Sequence, residues 1–328
     1  MATIANGESI GLCATDYELL SQLERGLVAS APDFSDGMGL TERQLACRIK
    51  HLEKNGIAQT LPLTSIEASG QKIAHFFICV SNRTAEDVAN EIANLHSMIV
   101  VASLRDKYHL MASALISEDH SSYQALRELS VIPGIANVKI ELVLHQVVNH
   151  IGHIRFAGAK ARSPTIHPKP EMAVGFANGS MDALDVGLVT QLQEGSRVSN
   201  RKIAQKFDVT EGAVRYRIKK LQERNLLKFV PAFDPAVLGL CYWSWLQFDI
   251  QPEYHDEVLA TIRSCSWIKY LAVTTGVKSL ACLALTRSEK HLAAIVENEI
   301  RKLPGVRSVF ESQLTANHKL DKRWGSFS

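Results

Sequence analysis

The feature that most limits what this chain can fold into is that it repeats itself. Sliding the 328-residue sequence along itself by 169 positions brings Leu40-Thr41-Glu42 onto Val209-Thr210-Glu211 and Arg48-Ile49-Lys50 onto Arg217-Ile218-Lys219. The same offset places Asp16, Gln22, Leu23, Gly26 and Leu52 on Asp185, Gln191, Leu192, Gly195 and Leu221. At an offset of 171, Ile132-Pro133-Gly134-Ile135 falls on Leu303-Pro304-Gly305-Val306. A repeat of this length means one structural plan used twice, so the fold must be buildable from two like units.

Each copy opens with about 45 residues of helical pattern and then runs strand, helix, strand, strand, helix, strand. In the second copy strands are expected over Cys241–Ile250, Trp267–Thr275, Lys278–Thr286 and Val306–Thr315, with helices over Glu253–Ser264 and Ser288–Lys302. Leu292, Ile295, Ile300 and Leu303 keep a near-helical spacing until Pro304-Gly305 stops the helix. The first copy matches, with strands near Lys72–Ser81, Ser97–Leu104, Tyr108–Ser117 and Ile135–Val147. This order is that of the ferredoxin-like sandwich, which leaves one sheet face open. Tyr242, Trp243, Trp245, Leu246 and Phe248 put apolar groups on both sides of one strand, so both faces are expected to be buried. Between the copies, Ala157–Gly179 carries Pro164, Pro168 and Pro170 without a period and reads as a linker.

Charge separates the copies. Overall, 36 Lys and Arg stand against 34 Asp and Glu, net +2. From Arg197 to Lys228, ten Lys or Arg face three acids, net +7. From Met1 to Leu40, one Arg faces six acids, net −5. The basic stretch has the spacing of a helix-turn-helix. Ser199 can cap a helix over Asn200–Phe207, Asp208-Val209 turns the chain, and Thr210 can cap a second helix to about Arg224. Ile203, Ala204, Phe207, Val209, Val214, Ile218 and Leu221 supply the seam, with small Ala204 at the crossing and Leu184, Leu188 and Leu192 as a third wall. Concentrated positive charge on such a module points to double-stranded DNA, through phosphate neutralisation. Thr210, Gly212, Arg215, Tyr216, Lys219 and Lys220 fall on the second helix, whose first turn can enter the major groove. Ser199, Arg201 and Lys202 open the first helix and are placed for phosphates. Arg217 flanks the seam. It is expected to pair with Asp185, as the retained counterparts Arg48 and Asp16 suggest; the alternative is a phosphate contact.

These residues resemble the Lrp/AsnC (feast/famine) family of transcription regulators. The likeness runs through Met181–Asp185, Arg197–Ala204 and Val209–Leu221, and includes the Leu303-Pro304-Gly305-Val306 turn. The resemblance implies an α+β fold in which a winged helix-turn-helix precedes a ferredoxin-like βαββαβ sandwich, here occurring twice in tandem. It also implies a ligand-sensing, dimerising role for the sandwich, amino acids as common effectors, a homo-oligomer, and a cytoplasmic, nucleoid-associated protein. The expected units are a degenerate helix-turn-helix at 14–60, a sandwich at 70–156, the linker at 157–179, the DNA-binding unit at 180–230 and a second sandwich at 237–316.

The chain departs from the family pattern in three ways. The unit is doubled, so two sandwiches can pack on each other within one chain. The first helix-turn-helix is eroded: Pro32–Met38 replaces the positioning helix with a stretch holding a proline, a glycine and two acids. Asp33 and Asp36 would repel phosphates beside Arg43, Gln44, Arg48, Lys50 and His51, so that copy is expected to serve structure. Third, the effector turn, in which the family has a Gly followed by an Asp, reads Thr275-Gly276-Val277-Lys278-Ser279 here, without the acid. Thr275, Gly276 and Ser279 remain the candidate effector residues.

Other chemistry is weakly represented. His145, His150 and His153 have no Cys or carboxylate beside them and are expected to bind no metal. The six cysteines are scattered, as in a reducing compartment. Leu280–Leu285 is the longest apolar run, far short of the ~18 residues that suggest a membrane span, and Met1–Ile10 lacks a signal-peptide pattern. There is no nucleotide-binding or hydrolase motif, so no cofactor and no catalytic residue is expected. The competing class is an enzyme. Paired units of this kind also resemble sirohaem decarboxylases, for which Tyr108 and His109 would be the residues to examine, but the +7 module has no place in that chemistry.

Overall fold

A computed structural model describes residues 12–24, 39–66, 71–117, 120–151, 181–194, 199–276 and 278–321. The linker, Pro32–Met38, Arg197 and His153 lie outside these residues.

The first copy begins with helices α1 (Ala14–Glu24) and α2 (Glu42–Lys54), followed by strand β1 (Ala58–Thr64). Its sandwich is β2 (Lys72–Val80), α3 (Ala85–Asn94), β3 (Met98–Arg105), β4 (Leu110–Ile116), α4 (Ser122–Ser130) and β5 (Ile135–Asn149). The second copy opens with α5 (Ala183–Glu194), α6 (Asn200–Phe207) and α7 (Glu211–Glu223), then β6 (Leu227–Phe233). Its sandwich is β7 (Tyr242–Ile250), α8 (His255–Arg263), β8 (Ile268–Thr274), β9 (Leu280–Thr286), α9 (Glu289–Ile295) and β10 (Val306–Leu320). A π-helical turn, Val296–Ile300, continues α9. The architecture is helix-turn-helix plus ferredoxin-like sandwich, in tandem.

The two four-stranded sheets do not remain separate. They join into one closed antiparallel barrel of order β10-β3-β4-β2-β5-β8-β9-β7. The seams are β5 on β8 and β10 on β3, so each long last strand bridges to the other copy. That bridging explains why β10 runs to Leu320, beyond the 316 boundary read from the sequence. Its final residues, Gln313–Leu320, are the ones that pair with Arg105–Val100. Both sheet faces are buried. Helices cover the outside over Phe76, Val88, Ile92 and Leu129 in one copy and Phe248, Val258, Ile262 and Leu292 in the other. The inside is a shared core of residues from both copies, including Ile73, Phe77, Ile99, Trp245, Tyr270 and Leu283.

Polar groups in this interface pair across the copies. Fully buried His75 sits between Ser113 Oγ at 2.8 Å and Tyr270 OH at 3.1 Å, with the Trp245 ring 4.9 Å away. Burial pushes the His75 imidazole down to about 3. Glu141, 2% exposed, accepts both 2.7 and 2.8 Å hydrogen bonds from Gln247 Nε2 and one from Lys139 Nζ. Ser312 donates to Asp106 at 2.8 Å, and Lys319 Nζ donates to the Leu95 carbonyl at 2.7 Å. A buried carboxylate is tolerated only with such partners.

The strand after each helix-turn-helix pairs with its counterpart. β1 and β6 form a two-stranded antiparallel ribbon, with Leu61 opposite Val230. Phe233 of β6 is fully buried among Leu19, Leu20, Leu23, Leu45 and Leu52, so the second copy completes the core of the first helix-turn-helix.

Candidate nucleic-acid interface

The second helix-turn-helix is capped as its sequence demands. Ser199 Oγ accepts the Lys202 N–H at 3.3 Å at the start of α6. α6 ends at Asp208 in the left-handed region, φ +52°, whose N–H returns to the Ala204 carbonyl. Thr210 Oγ1 then accepts the Ala213 N–H at 3.1 Å and starts α7. Each such cap is worth roughly 1 kcal/mol. Ile203, Ala204, Val214 and Leu221 are buried together with Leu188 and Leu192 of α5.

Two contributors to this frame were missed in the sequence. A close approach falls at Gly187: a Cβ there would lie 2.6 Å from the Phe207 ring. The signal was available, since a glycine inside a helical pattern marks close packing. The other is Asp182. Arg217 Nη1 bonds both Asp182 Oδ2 at 2.5 Å and Asp185 Oδ1 at 2.8 Å. Asp182 and Asp185 also accept each other's backbone N–H groups, so the guanidinium ties α7 to the start of α5. Burial alone would raise the Asp182 carboxyl. Hydrogen bonds from Arg217 and from the Asp185 and Leu184 backbone, with the guanidinium charge, outweigh it and hold the group below its ordinary value. The same contacts raise Arg217, Asp182 first and Asp185 second.

With the seam closed, the remaining side chains face outward. Ser199, Arg201, Lys202, Thr210, Gly212, Arg215, Tyr216, Lys219 and Lys220 are all exposed. Tyr216 is 66% exposed, high for a large ring. Arg215 bonds Glu211 at 2.5 Å and Lys219 lies 3.6 Å from Glu223, both exposed i,i+4 pairs. Such pairs are weak and are readily exchanged for phosphate or a base edge. Gly212 has only Thr210 Oγ1 within 4 Å of where a Cβ would stand, leaving the first turn of α7 open.

The other sequence candidates are scattered. Thr275 Oγ1 accepts the Leu142 N–H at 2.9 Å and extends the β5–β8 seam. Gly276, φ +105°, forms the hairpin, and the Ser279 carbonyl accepts the Thr274 N–H. His109 Nδ1 accepts the Val80 N–H at 2.9 Å, and the Tyr108 ring lies 5.6 Å from Phe77. None of these five residues lines the cleft described below or the one beside His150. Among the described residues, no group of three or more His, Cys, Asp or Glu could hold a metal ion, and no helix is long and apolar enough to cross a membrane.

A tandem helix-turn-helix protein built round one shared β-barrel is the class this geometry defines. Residues 181–222 match the AsnC-type helix-turn-helix domain. An HTH-type transcriptional regulator LrpA of Pyrococcus horikoshii is 27% identical over 130 residues, 39% of this chain and 92% of the relative. An uncharacterised HTH-type transcriptional regulator of Pyrococcus furiosus is 27% identical over 146 residues, 44% of this chain and 96% of the relative. The chain is thus similar to HTH-type transcriptional regulators whose nearly whole length corresponds to less than half of it. Over nearly its full length the chain is similar in fold to the crystal structure of the siroheme decarboxylase NirDL. That likeness has a TM-score of 0.58 at 12% identity and covers 95% of this chain and 94% of the other. It concerns the fold alone.

Proposed function

We propose that the chain is a sequence-specific, DNA-binding transcriptional regulator whose second helix-turn-helix reads double-stranded DNA. The observation that carries this reading is the sorting of side chains in α6 and α7. Ile203, Ala204, Phe207, Val209, Val214, Ile218 and Leu221 close the seam, while Arg201, Lys202, Arg215, Tyr216, Lys219 and Lys220 face outward around an open first turn of α7. Arg215 and Lys219, one turn apart, are suited to a guanine edge and a neighbouring phosphate. Arg201, Lys202 and Lys220 are suited to backbone phosphates. Arg217 serves as the brace between α5 and α7. Because one chain offers one basic motif, two chains supply the pair needed for half-sites related by a two-fold axis, and the regulator works as a homo-oligomer. A small-molecule effector acts on the barrel side of the molecule.

The enzymatic alternative, suggested by the whole-chain likeness to a decarboxylase, asks Tyr108 and His109 to meet a substrate. The His109 ring instead accepts the N–H of Val80 at the end of β2, and Tyr108 packs on Phe77. Genomic footprinting separates the readings. The wild type is expected to give ordered protection at palindrome-like sites that disappears in an Arg215→Ala, Lys219→Ala double variant. Absence of protected sites, together with a spectral change when the pure protein meets sirohaem, would favour the enzyme.

A further inference from the structure

A cleft of about 810 Å³ opens where three parts of the chain meet. Tyr17 of α1 forms one wall, Leu238 in the turn after β6 a second, and Trp267 with Arg287 of the second sandwich a third. Small-ligand sites typically measure ~300–1,000 Å³ and combine apolar and aromatic lining with a few fixed polar groups. The Leu285 N–H donates to the Trp267 carbonyl at 2.9 Å, so the Trp267 backbone runs beside β9 and Arg287 follows Leu285 by two residues. Arg287 is exposed and has no carboxylate partner among the described residues. His291 adds a second basic side chain to the same lining. Glu299 also lines the cleft, from the π-helical turn that continues α9, and forms no ion pair with Arg287.

We propose that this cleft binds a small aromatic carboxylate. The carboxylate pairs with Arg287, whose planar donor fork matches it, and the ring lies against the Trp267 and Tyr17 side of the lining. The cleft joins α1, part of the first helix-turn-helix, to the second sandwich. An occupant there ties the two copies together at a point the sheet seams do not reach. This site is separate from the Thr275–Ser279 hairpin and does not depend on the DNA-binding reading.

Titration calorimetry on the intact chain with 2-naphthoate as the probe tests the proposal. The expected result is saturable binding near one equivalent per chain. Affinity should fall at least about tenfold for uncharged 2-naphthamide on the wild type, and by a similar factor for 2-naphthoate on Arg287→Gln. Circular dichroism confirms that this exposed substitution leaves the fold intact. No saturable binding, or binding indifferent to both changes, would overturn the proposal.

Discussion

The two helix-turn-helix units share a frame and differ in what they put on it. Both start the recognition helix with a threonine cap: Thr210 on the Ala213 N–H, and Thr41 in a full capping box with Gln44. Both end it with a left-handed residue, Asn225 in one and Gly56 in the other. Both brace it with an arginine to an N-terminal carboxylate, Arg217 to Asp185 at 2.8 Å and Arg48 to Asp16 at 3.2 Å. The brace is weaker in the first copy, where Cys13 stands at the position of Asp182 and accepts from Arg48 through its sulfur. On the outer face, Arg215 and Tyr216 are replaced by Ala46 and Cys47, and Gly187 at the helix crossing by Glu18. The buried positions of the frame are filled in both copies, whereas the outward basic residues are denser on the second. The second copy in turn supplies Phe233 to the core of the first, so the eroded unit is held by its partner.

The largest expected effect is on DNA affinity. Arg215→Ala with Lys219→Ala should lower affinity for a footprinted site about a hundredfold, as loss of a base contact and a phosphate contact implies. Removing two basic residues from the first recognition helix, Arg43→Ala with Lys50→Ala, should alter it by less than about threefold; gel-shift titration reads both. In the barrel, His75 occupies the position that Trp245 holds in the second copy. It is neutral when folded, with its value depressed to about 3 from an unfolded value near 6.5. Its contribution is therefore complete above pH 6.5 and is lost as pH falls towards 3. Linkage gives a loss of roughly 3 kcal/mol by pH 4, which denaturant titrations should register and His75→Gln should remove. Gly187→Val drives a side chain into Phe207 and should cost about 1–3 kcal/mol, whereas Glu18→Ala in α1 should stay within about 0.5 kcal/mol. Smallest is the brace. Arg217→Ala should destabilise by about 1–2 kcal/mol and more than Arg48→Ala, since it strands two carboxylates instead of one. Asp182 is depressed, so the Arg217 contribution is complete above about pH 4 and fades as pH falls further, and the difference between the two variants should shrink in acid.

Much of this fold was legible because its signals are local. Helix caps, the αL turn at Asp208, and the alternation of strands and helices are all written within a few residues. Strand pairing is not local. The pattern of Val306–Thr315 identified a strand, but nothing in it names β3 as the partner that extends it to Leu320. The β1–β6 ribbon was hidden for a different reason: Pro62 and Pro231 interrupt the strand pattern. In a two-stranded ribbon half of the backbone groups face outward, so a missing N–H is tolerated there. At the interface the exposed basic residues were readable from charge and helical spacing. Gly187 left a local signal, a glycine inside a helical pattern, although its contact with Phe207 did not; Asp182 left none, because it acts through Arg217, 35 positions away.

The central claim is that DNA contact belongs to the second copy. Its most direct test is the salt dependence of binding to a duplex recovered by footprinting, measured for the wild type and for the two double variants. Each phosphate contact contributes about 0.9 to the slope of log affinity against log salt. A steep slope is expected, dropping by about one to two for Arg215→Ala with Lys219→Ala and unchanged for Arg43→Ala with Lys50→Ala. A slope that responds instead to the first-copy pair, or a wild-type affinity indifferent to salt, would contradict it.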